Sequence, residues 1–269
     1  MKNRIAIIGE NAVQNALQKI IVSKGFEGEI VSPSEKGPLK SRLKHFDCIV
    51  LPFPSRDDNI SFIRENDCSE LFSEKQLIVG GLVSEELKEH LESNGSDVYD
   101  YFKDNAYVLK NAYLTYQGVI RLLLESTDTF LPGRTALVTG FGRIAKPLSL
   151  TLKSLGIKVY VAVRSDIQIA EAEMMGFDVL RINNIKSTLF YFDFIFNTVP
   201  FNIFSEKDVK HLKNSSVYFE IASKPYGAQG ENFGIYGKKY VLASALPGKL
   251  YPFGVAENIA DFLSRKEVI

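Results

Sequence analysis

The sequence predicts an α/β protein built of two doubly wound parallel-sheet domains, the C-terminal one a Rossmann dinucleotide-binding domain. Three observations support this. Short apolar runs alternate with stretches of helical spacing along most of the chain, as in parallel strands joined by helices. The 269 residues suit two domains of roughly 100 to 200 residues each. A Gly-x-Gly-x-x-Ala segment begins at Gly140, between a predicted strand and a predicted helix.

Composition points to a small-molecule ligand. Lys and Arg total 32, as do Asp and Glu, so no basic excess exists to hold nucleic acid or an anionic membrane. The apolar run Ile5–Ile8 is shorter than the core of a signal peptide, and we expect a cytoplasmic protein with no membrane or nucleic-acid partner. Two cysteines and three histidines without metal-type spacing predict no metal site.

Residues 1–110 are predicted to form a flavodoxin-like, substrate-binding domain. Its helix follows the first strand, with apolar residues at helical spacing from Val13 to Ile21. Residues 32–44 are rich in Ser, Pro, Lys and Gly and are interpreted as an exposed loop. The predicted strands are Arg4–Gly9, Cys48–Leu51, Leu77–Gly80 and Asp97–Phe102.

Residues 111–254 are predicted to form the Rossmann domain. A helix over Ala112–Ser126 bridges the domains, and Pro132–Gly133 precedes the first new strand. The closing segment, 255–269, is expected to fold back as a helix onto the first domain. The predicted strands are Thr135–Thr139, Lys158–Val163, Phe192–Asn197, Val217–Ile221 and Tyr240–Ala243.

The glycine-rich segment has the residues that a dinucleotide cradle requires. Gly140 permits a tight turn, Gly142 lets a pyrophosphate approach the backbone, and Ala145 lets helix and strand pack closely. The pyrophosphate then faces the helix N-terminus. The candidate cofactor-binding residues of this segment are Gly140, Phe141, Gly142, Arg143 and Ile144.

The residues after the second strand of this domain indicate NADP. An acidic residue normally binds the ribose hydroxyls there, but the chain has Arg164 and Ser165. A cation and a hydroxyl suit a 2′-phosphate. Asp166 keeps NAD as the alternative.

Loops after other strands supply further candidates, because ligands of open α/β sheets bind beyond the carboxyl ends of the strands. The Asn197-Thr198-Val199-Pro200 segment is predicted to lie beside the nicotinamide ribose, the alternative being a structural turn. An anionic substrate in the cleft between the domains would be held by residues of both domains. No catalytic residue can be named, since His211 is placed in a helix. The candidate substrate-binding residues at these strand ends are Ser55, Arg56, Ser223, Lys224 and Pro247.

Several segments together resemble the dipicolinate synthase A-subunit family of spore-forming bacteria. They are Tyr113–Gly118, Gly140–Arg143, Val163–Ser165, Asn197–Pro200, Ala222–Pro225 and Leu246–Lys249. The first domain matches the N-terminal domain of that family only in its strand pattern and is shorter than it. The family often has arginine at the position of Lys224.

The resemblance implies a reaction and partners. The reaction is oxidation of a dihydrodipicolinate-type precursor to dipicolinate with NADP during sporulation, in complex with a flavoprotein-like B subunit. It adds Thr115 and Gln117 as candidate substrate-binding residues. We further expect a homo-oligomer.

Two other functions stay open at this point. The chain could be a nucleotide-binding regulatory or scaffold subunit without turnover, which the absence of an obvious acid or base favours. It could also be a different keto- or hydroxy-acid dehydrogenase, in which the Asn-Thr-x-Pro segment would serve in the same way. Formation of NADPH from candidate acids would separate these functions.

Overall fold

The computed structural model describes residues 4–32, 42–64 and 68–269. The chain divides into a first unit, residues 1–111 and 247–269, and a second unit, residues 112–246. Residues 247–254 thus belong to the first unit, whereas the sequence division placed them with the Rossmann domain. The predicted loop at 32–44 lies largely outside the described residues, at 33–41.

The first unit contains a five-stranded parallel sheet. Its strand order, β2-β1-β3-β4-β5, is that of flavodoxin-like folds. Strand β2 was not predicted from the sequence. The predicted fourth strand is shorter than expected, because the chain turns into a 3₁₀ helix at Tyr101. The strands are β1 Arg4–Ile8, β2 Glu27–Val31, β3 Cys48–Val50, β4 Leu77–Gly80 and β5 Asp97–Asp100.

Five helices whose full length lies in the described residues follow in chain order up to the second unit. The last of them begins seven residues before the predicted start and runs through the boundary between the units. The helices are α1 Ala12–Ser23, α2 Ser61–Arg64, α3 Cys68–Leu71, α4 Glu85–Glu92 and α5 Asn105–Ser126, with 3₁₀ helices at Asp57–Ile60 and Tyr101–Lys103.

The second unit contains a six-stranded parallel sheet of order β11-β10-β9-β6-β7-β8. Renumbered within the unit, this is the Rossmann order 3-2-1-4-5-6. Central strands β6, β9 and β10 are buried along their whole length, as expected of strands covered on both faces. The strands are β6 Thr135–Thr139, β7 Lys158–Val163, β8 Asp178–Arg181, β9 Phe194–Asn197, β10 Val217–Glu220 and β11 Lys239–Leu242.

Helices connect these strands, so both units are parallel sheets with helical connections. The predicted fold class is confirmed. The helices of the second unit are α6 Ala145–Ser154, α7 Asp166–Met174, α8 Glu206–Lys210 and α9 Gly230–Ile235, with a 3₁₀ helix at Ile182–Tyr191. None of the helices in the described ranges is long and apolar enough to span a bilayer.

The chain ends in two helices, α10 Leu246–Leu250 and α11 Pro252–Arg265. Helix α11 packs against α1 in the first unit. Arg265 makes two hydrogen bonds of 2.9 Å to the Asp104 carboxylate, and Asn258 Nδ2 donates to the Tyr107 carbonyl at 3.0 Å. These contacts join α11 to the region where α5 begins.

Candidate functional site

The candidate site lies where the strand order of the second sheet reverses. Strands β6 and β9 are neighbours there, with Thr139 opposite Asn197, and their connections leave in opposite directions. Ligands of open α/β sheets bind in the crevice at such a switch point. Gly140 follows β6 and Thr198 follows β9, so the glycine-rich segment and the Asn-Thr-x-Pro segment meet at this crevice.

Gly140 must be glycine for two reasons. Its φ is +84°, a conformation that side chains disfavour. A Cβ at this position would lie 2.7 Å from Thr198 Oγ1 and 3.0 Å from a Val199 methyl. The Thr198 hydroxyl in turn donates to the Thr139 carbonyl at 2.7 Å. The tight turn therefore holds the two strand ends together.

Gly142 differs from Gly140, since a Cβ there would meet no atom within 4 Å. The absent side chain leaves open space beside the start of α6. The helix has Ile144 as its N-cap residue, with no side-chain cap hydrogen bond, so the positive end of the helix is available to an anion. Open space beside such a helix end fits a pyrophosphate group.

The corresponding turn in the first unit is closed. A Cβ at Gly9 would lie 2.9 Å from Gln14 Nε2, and the Asn11 and Gln14 side chains form a capping box at the start of α1. That helix end already has its hydrogen-bond partners. Of the two glycine turns, only the one in the second unit therefore has the form of a dinucleotide cradle.

The other predicted residues of the cradle differ in how far their side chains are exposed. The Phe141 side chain is 1% exposed and packs edge-on against Phe177 at 5.8 Å between ring centroids. Only its backbone can face a ligand. Arg143 is exposed and Ile144 is half-buried.

Two arginines stand at the ends of β7 and β8. Arg164 and Ser165 follow β7 and are exposed, and Ser165 makes no side-chain cap hydrogen bond at the start of α7. Arg181 ends β8 opposite Val163 and donates to the Asp166 carboxylate at 2.7 Å. The acidic group that kept NAD as an alternative is therefore paired with an arginine that the sequence interpretation did not include.

Asn197 was predicted to bind the cofactor, and its side chain is hydrogen-bonded inside the protein. Its side chain is 0% exposed. Its Oδ1 accepts from Thr139 Oγ1 at 2.5 Å, and its Nδ2 donates to Glu220 at 2.6 Å. No surface of this side chain is left for a ligand, and Thr198, half-buried at the crevice, is the residue of the segment with a side chain in position. Val199 is half-buried and Pro200 exposed.

Glu220 is a buried acid beside the crevice, at the end of β10 opposite Asn197. Burial raises the pKa of its carboxyl group, while hydrogen bonds from Asn197 and Gly227 act in the opposite direction. The sequence did contain a signal, an acidic residue at the end of an apolar strand. Glu220 was not predicted as a site residue, because the prediction considered only the residues after the strand, Ser223 and Lys224.

The predicted substrate-binding residues of the first unit are Ser55, Arg56 and Pro247. Ser55 is 0% exposed; its hydroxyl donates to the Pro52 carbonyl and accepts from the Gly81 amide. It therefore holds a loop and offers no surface to a substrate. Arg56 is exposed, whereas Pro247 is buried at the start of α10.

The predicted substrate-binding residues of the second unit are Thr115, Gln117, Ser223 and Lys224. On α5, Thr115 is buried and Gln117 exposed, because residues two apart on a helix face different directions. They cannot serve one ligand from one helix face. Ser223 and Lys224 are both exposed, and the Lys224 ammonium lies 6.0 Å from the Tyr226 ring centre.

A family model described as the NAD binding domain of S-adenosyl-L-homocysteine hydrolase matches residues 111–226. The A subunit of dipicolinate synthase from Bacillus subtilis (strain 168) is 27% identical over 164 residues, which are 61% of this chain and 55% of that protein. The aligned region thus spans about half of that relative's length. The NAD-binding match supports a nicotinamide dinucleotide as the ligand of the second unit.

Solved structures give the same picture for the fold. The A subunit of dipicolinate synthase from Bacillus subtilis superposes with a TM-score of 0.80 at 20% identity, over 99% of this chain and 96% of that one. The A subunit of dipicolinate synthase from Bacillus halodurans superposes with a TM-score of 0.79 at 19% identity, over 98% of this chain and 97% of that one. The resemblance to dipicolinate synthase A subunits is confirmed, and the second unit has the fold of a Rossmann dinucleotide-binding domain.

Proposed function

We propose that this protein is an NADP-dependent oxidoreductase that oxidises a dihydrodipicolinate-type ring to dipicolinate. The observation that carries the proposal is the open space at Gly142 beside an uncapped helix N-terminus. The similarity to the A subunit of dipicolinate synthase supports the choice of substrate class. The proposed site has one part that binds the cofactor and one that binds the substrate.

The pyrophosphate is held by the turn from Gly140 to Ile144. Backbone N–H groups at the start of α6 donate to its oxygens, and the helix dipole favours its charge. The exposed guanidinium of Arg143 lies in the same turn and adds a cation. Thr198 faces the nicotinamide half of the cofactor from the neighbouring strand end.

The adenosine 2′-phosphate is held at the end of β7. Arg164 supplies a guanidinium and Ser165 a hydroxyl, both exposed. Asp166 would repel a phosphate, but its carboxylate is paired with Arg181 at 2.7 Å. Because this pairing offsets the negative charge, the strand end favours NADP over NAD.

The substrate ring carries two carboxylates, which need cations. Lys224 binds one of them, with Ser223 beside it. A bound NADP, held by the Gly140–Ile144 turn, Arg164 and Ser165, would supply the acceptor for a hydride from a ring carbon, and the ring's proton would leave to water as the ring becomes aromatic. The protein's own residues bind and orient; we assign no side chain as the general base.

We also propose that the chain assembles with a second, different subunit. The relatives are A subunits of a synthase, a name that implies a partner. A nucleotide-binding scaffold without turnover is the second candidate function. It is favoured because the one buried acid that we find beside the crevice, Glu220, has no exposed surface.

Purified protein incubated with NADP and a dihydrodipicolinate-type acid tests the proposal. The expected result is reduced nicotinamide, followed by its absorbance, together with dipicolinate. Binding of NADP without turnover, even when the partner protein is supplied, would favour the scaffold. Turnover only with an unrelated hydroxy or keto acid would identify a different dehydrogenase.

A further inference from the structure

Glu220 is a fully buried carboxylate with a dense set of hydrogen bonds. One oxygen accepts from Asn197 Nδ2 at 2.6 Å and from the Ala222 amide at 3.2 Å. The other accepts from the Gly227 amide at 2.8 Å and from the Tyr218 hydroxyl at 3.1 Å. Four donors thus point at two oxygens, which suits an ionised carboxylate, since that group only accepts.

The backbone donors mark the two ends of one loop. Ala222 and Gly227 enclose Ser223 and Lys224, the exposed pair assigned to the substrate. One carboxylate therefore contacts both ends of the loop that presents Lys224, and at the first end the Ala222 amide is shared with the Asn197 carbonyl at 3.1 Å. The far end has further anchors, because the Gly227 carbonyl accepts from the amides of residues 203 and 204, both at 2.9 Å.

The side-chain donor connects the same carboxylate to a second loop. Besides donating to Glu220, Asn197 Nδ2 donates to the Val199 carbonyl at 3.0 Å, next to Thr198. The fit is close: a Cβ at Gly227 would lie 2.3 Å from Asn197 Nδ2. The two loops thus pack on one shared group, with no room for either to shift alone.

We propose that Glu220 is a positioning residue that sets the geometry of both loops, 197–200 and 222–227, and so places Thr198 and Lys224. The assignment of those two residues to cofactor and substrate rests on the proposed function. The positioning of the two loops by Glu220 does not rest on the proposed function. Glu220 is 0% exposed, so it acts through these loops and not on a bound molecule.

Glu220→Gln tests the proposal, because it puts an N–H donor against groups that themselves donate. Amide hydrogen exchange followed by NMR is the first measurement. We expect the Gly227 amide to exchange about tenfold faster or more, and the Ala222 amide to change less, because it also donates to the Asn197 carbonyl at 3.1 Å. Matched controls are the amides of Ile221 and Ala243, which donate to backbone carbonyls of the same sheet at 2.9 and 2.8 Å and should keep their protection.

Glu220→Asp is the second variant, in case the Gln variant does not fold. It withdraws the carboxylate from the loop amides without adding a donor, and the Gly227 amide should again lose protection. Tyr218→Phe removes one donor that belongs to neither loop, and the Gly227 amide should stay protected. Unchanged exchange at residue 227 in both Glu220 variants would overturn the proposal.

Binding separates this inference from the proposed function. If both hold, Glu220→Gln weakens dipicolinate binding by about tenfold, whereas Tyr218→Phe leaves it unchanged. If the unmutated protein binds neither dipicolinate nor NADPH, the proposed function fails while the exchange result still decides the role of Glu220.

Discussion

Replacing Arg164 with alanine should weaken NADP binding without affecting NAD. The guanidinium is exposed at the end of β7, and within the described part of the chain it has no ion-pair partner, so the substitution breaks no internal ion pair. A hydrogen bond to a charged group contributes roughly 1.5 to 3 kcal/mol. Because the site is open to water, we expect the lower end, about a tenfold loss of affinity for NADP.

Calorimetric titration with NADP and with NAD measures this. Arg121→Ala is the matched control, since it removes an exposed arginine of the second unit that pairs with Glu125 on α5. Arg164→Asp should go further and reverse the preference. Equal affinities of the unmutated protein for the two cofactors, or an equal loss of both in Arg164→Ala, would refute the reasoning.

Three further predictions follow from the structure. Gly142→Val should abolish NADPH binding, measured by fluorescence, with a circular dichroism spectrum like that of Gly234→Ala, because a Cβ at either position meets no atom. Lys224→Ala should weaken dipicolinate binding by about tenfold and leave NADPH affinity unchanged. Arg265 lowers the pKa of Asp104, so this pair stabilises the fold above about pH 4 and the contribution is lost as the pH falls further. Thermal melts should therefore show a smaller loss of stability on acidification in Arg265→Ala than in the unmutated protein.

The central strands could be predicted because they are apolar along most of their length. Thr135–Thr139 is buried at every position and was predicted as a strand, as was β9. Strands β2 and β8 were missed because they carry charged residues along a partly exposed edge, as in Glu27–Val31 and Asp178–Arg181. Their polar sequences resemble loops, and only pairing with a neighbouring strand makes them strands.

The glycine turn of the site could be predicted from local chemistry, because Gly140 and Gly142 act through their own backbone. The burial of the Asn197 and Ser55 side chains could not be predicted, for the opposite reason. Whether a polar side chain at a strand end faces a ligand or the protein depends on which neighbours surround it. For Asn197 these are Thr139 and Glu220, which lie 58 and 23 residues away in sequence. No local pattern carries that information.

A crystal structure of the protein with NADPH bound tests the central claim most directly. Our account predicts that the pyrophosphate lies against Gly142 and the first turn of α6, with the 2′-phosphate within hydrogen-bond distance of Arg164. A nucleotide bound at the turn after Gly9, or none in the second unit at saturating NADPH, would contradict it.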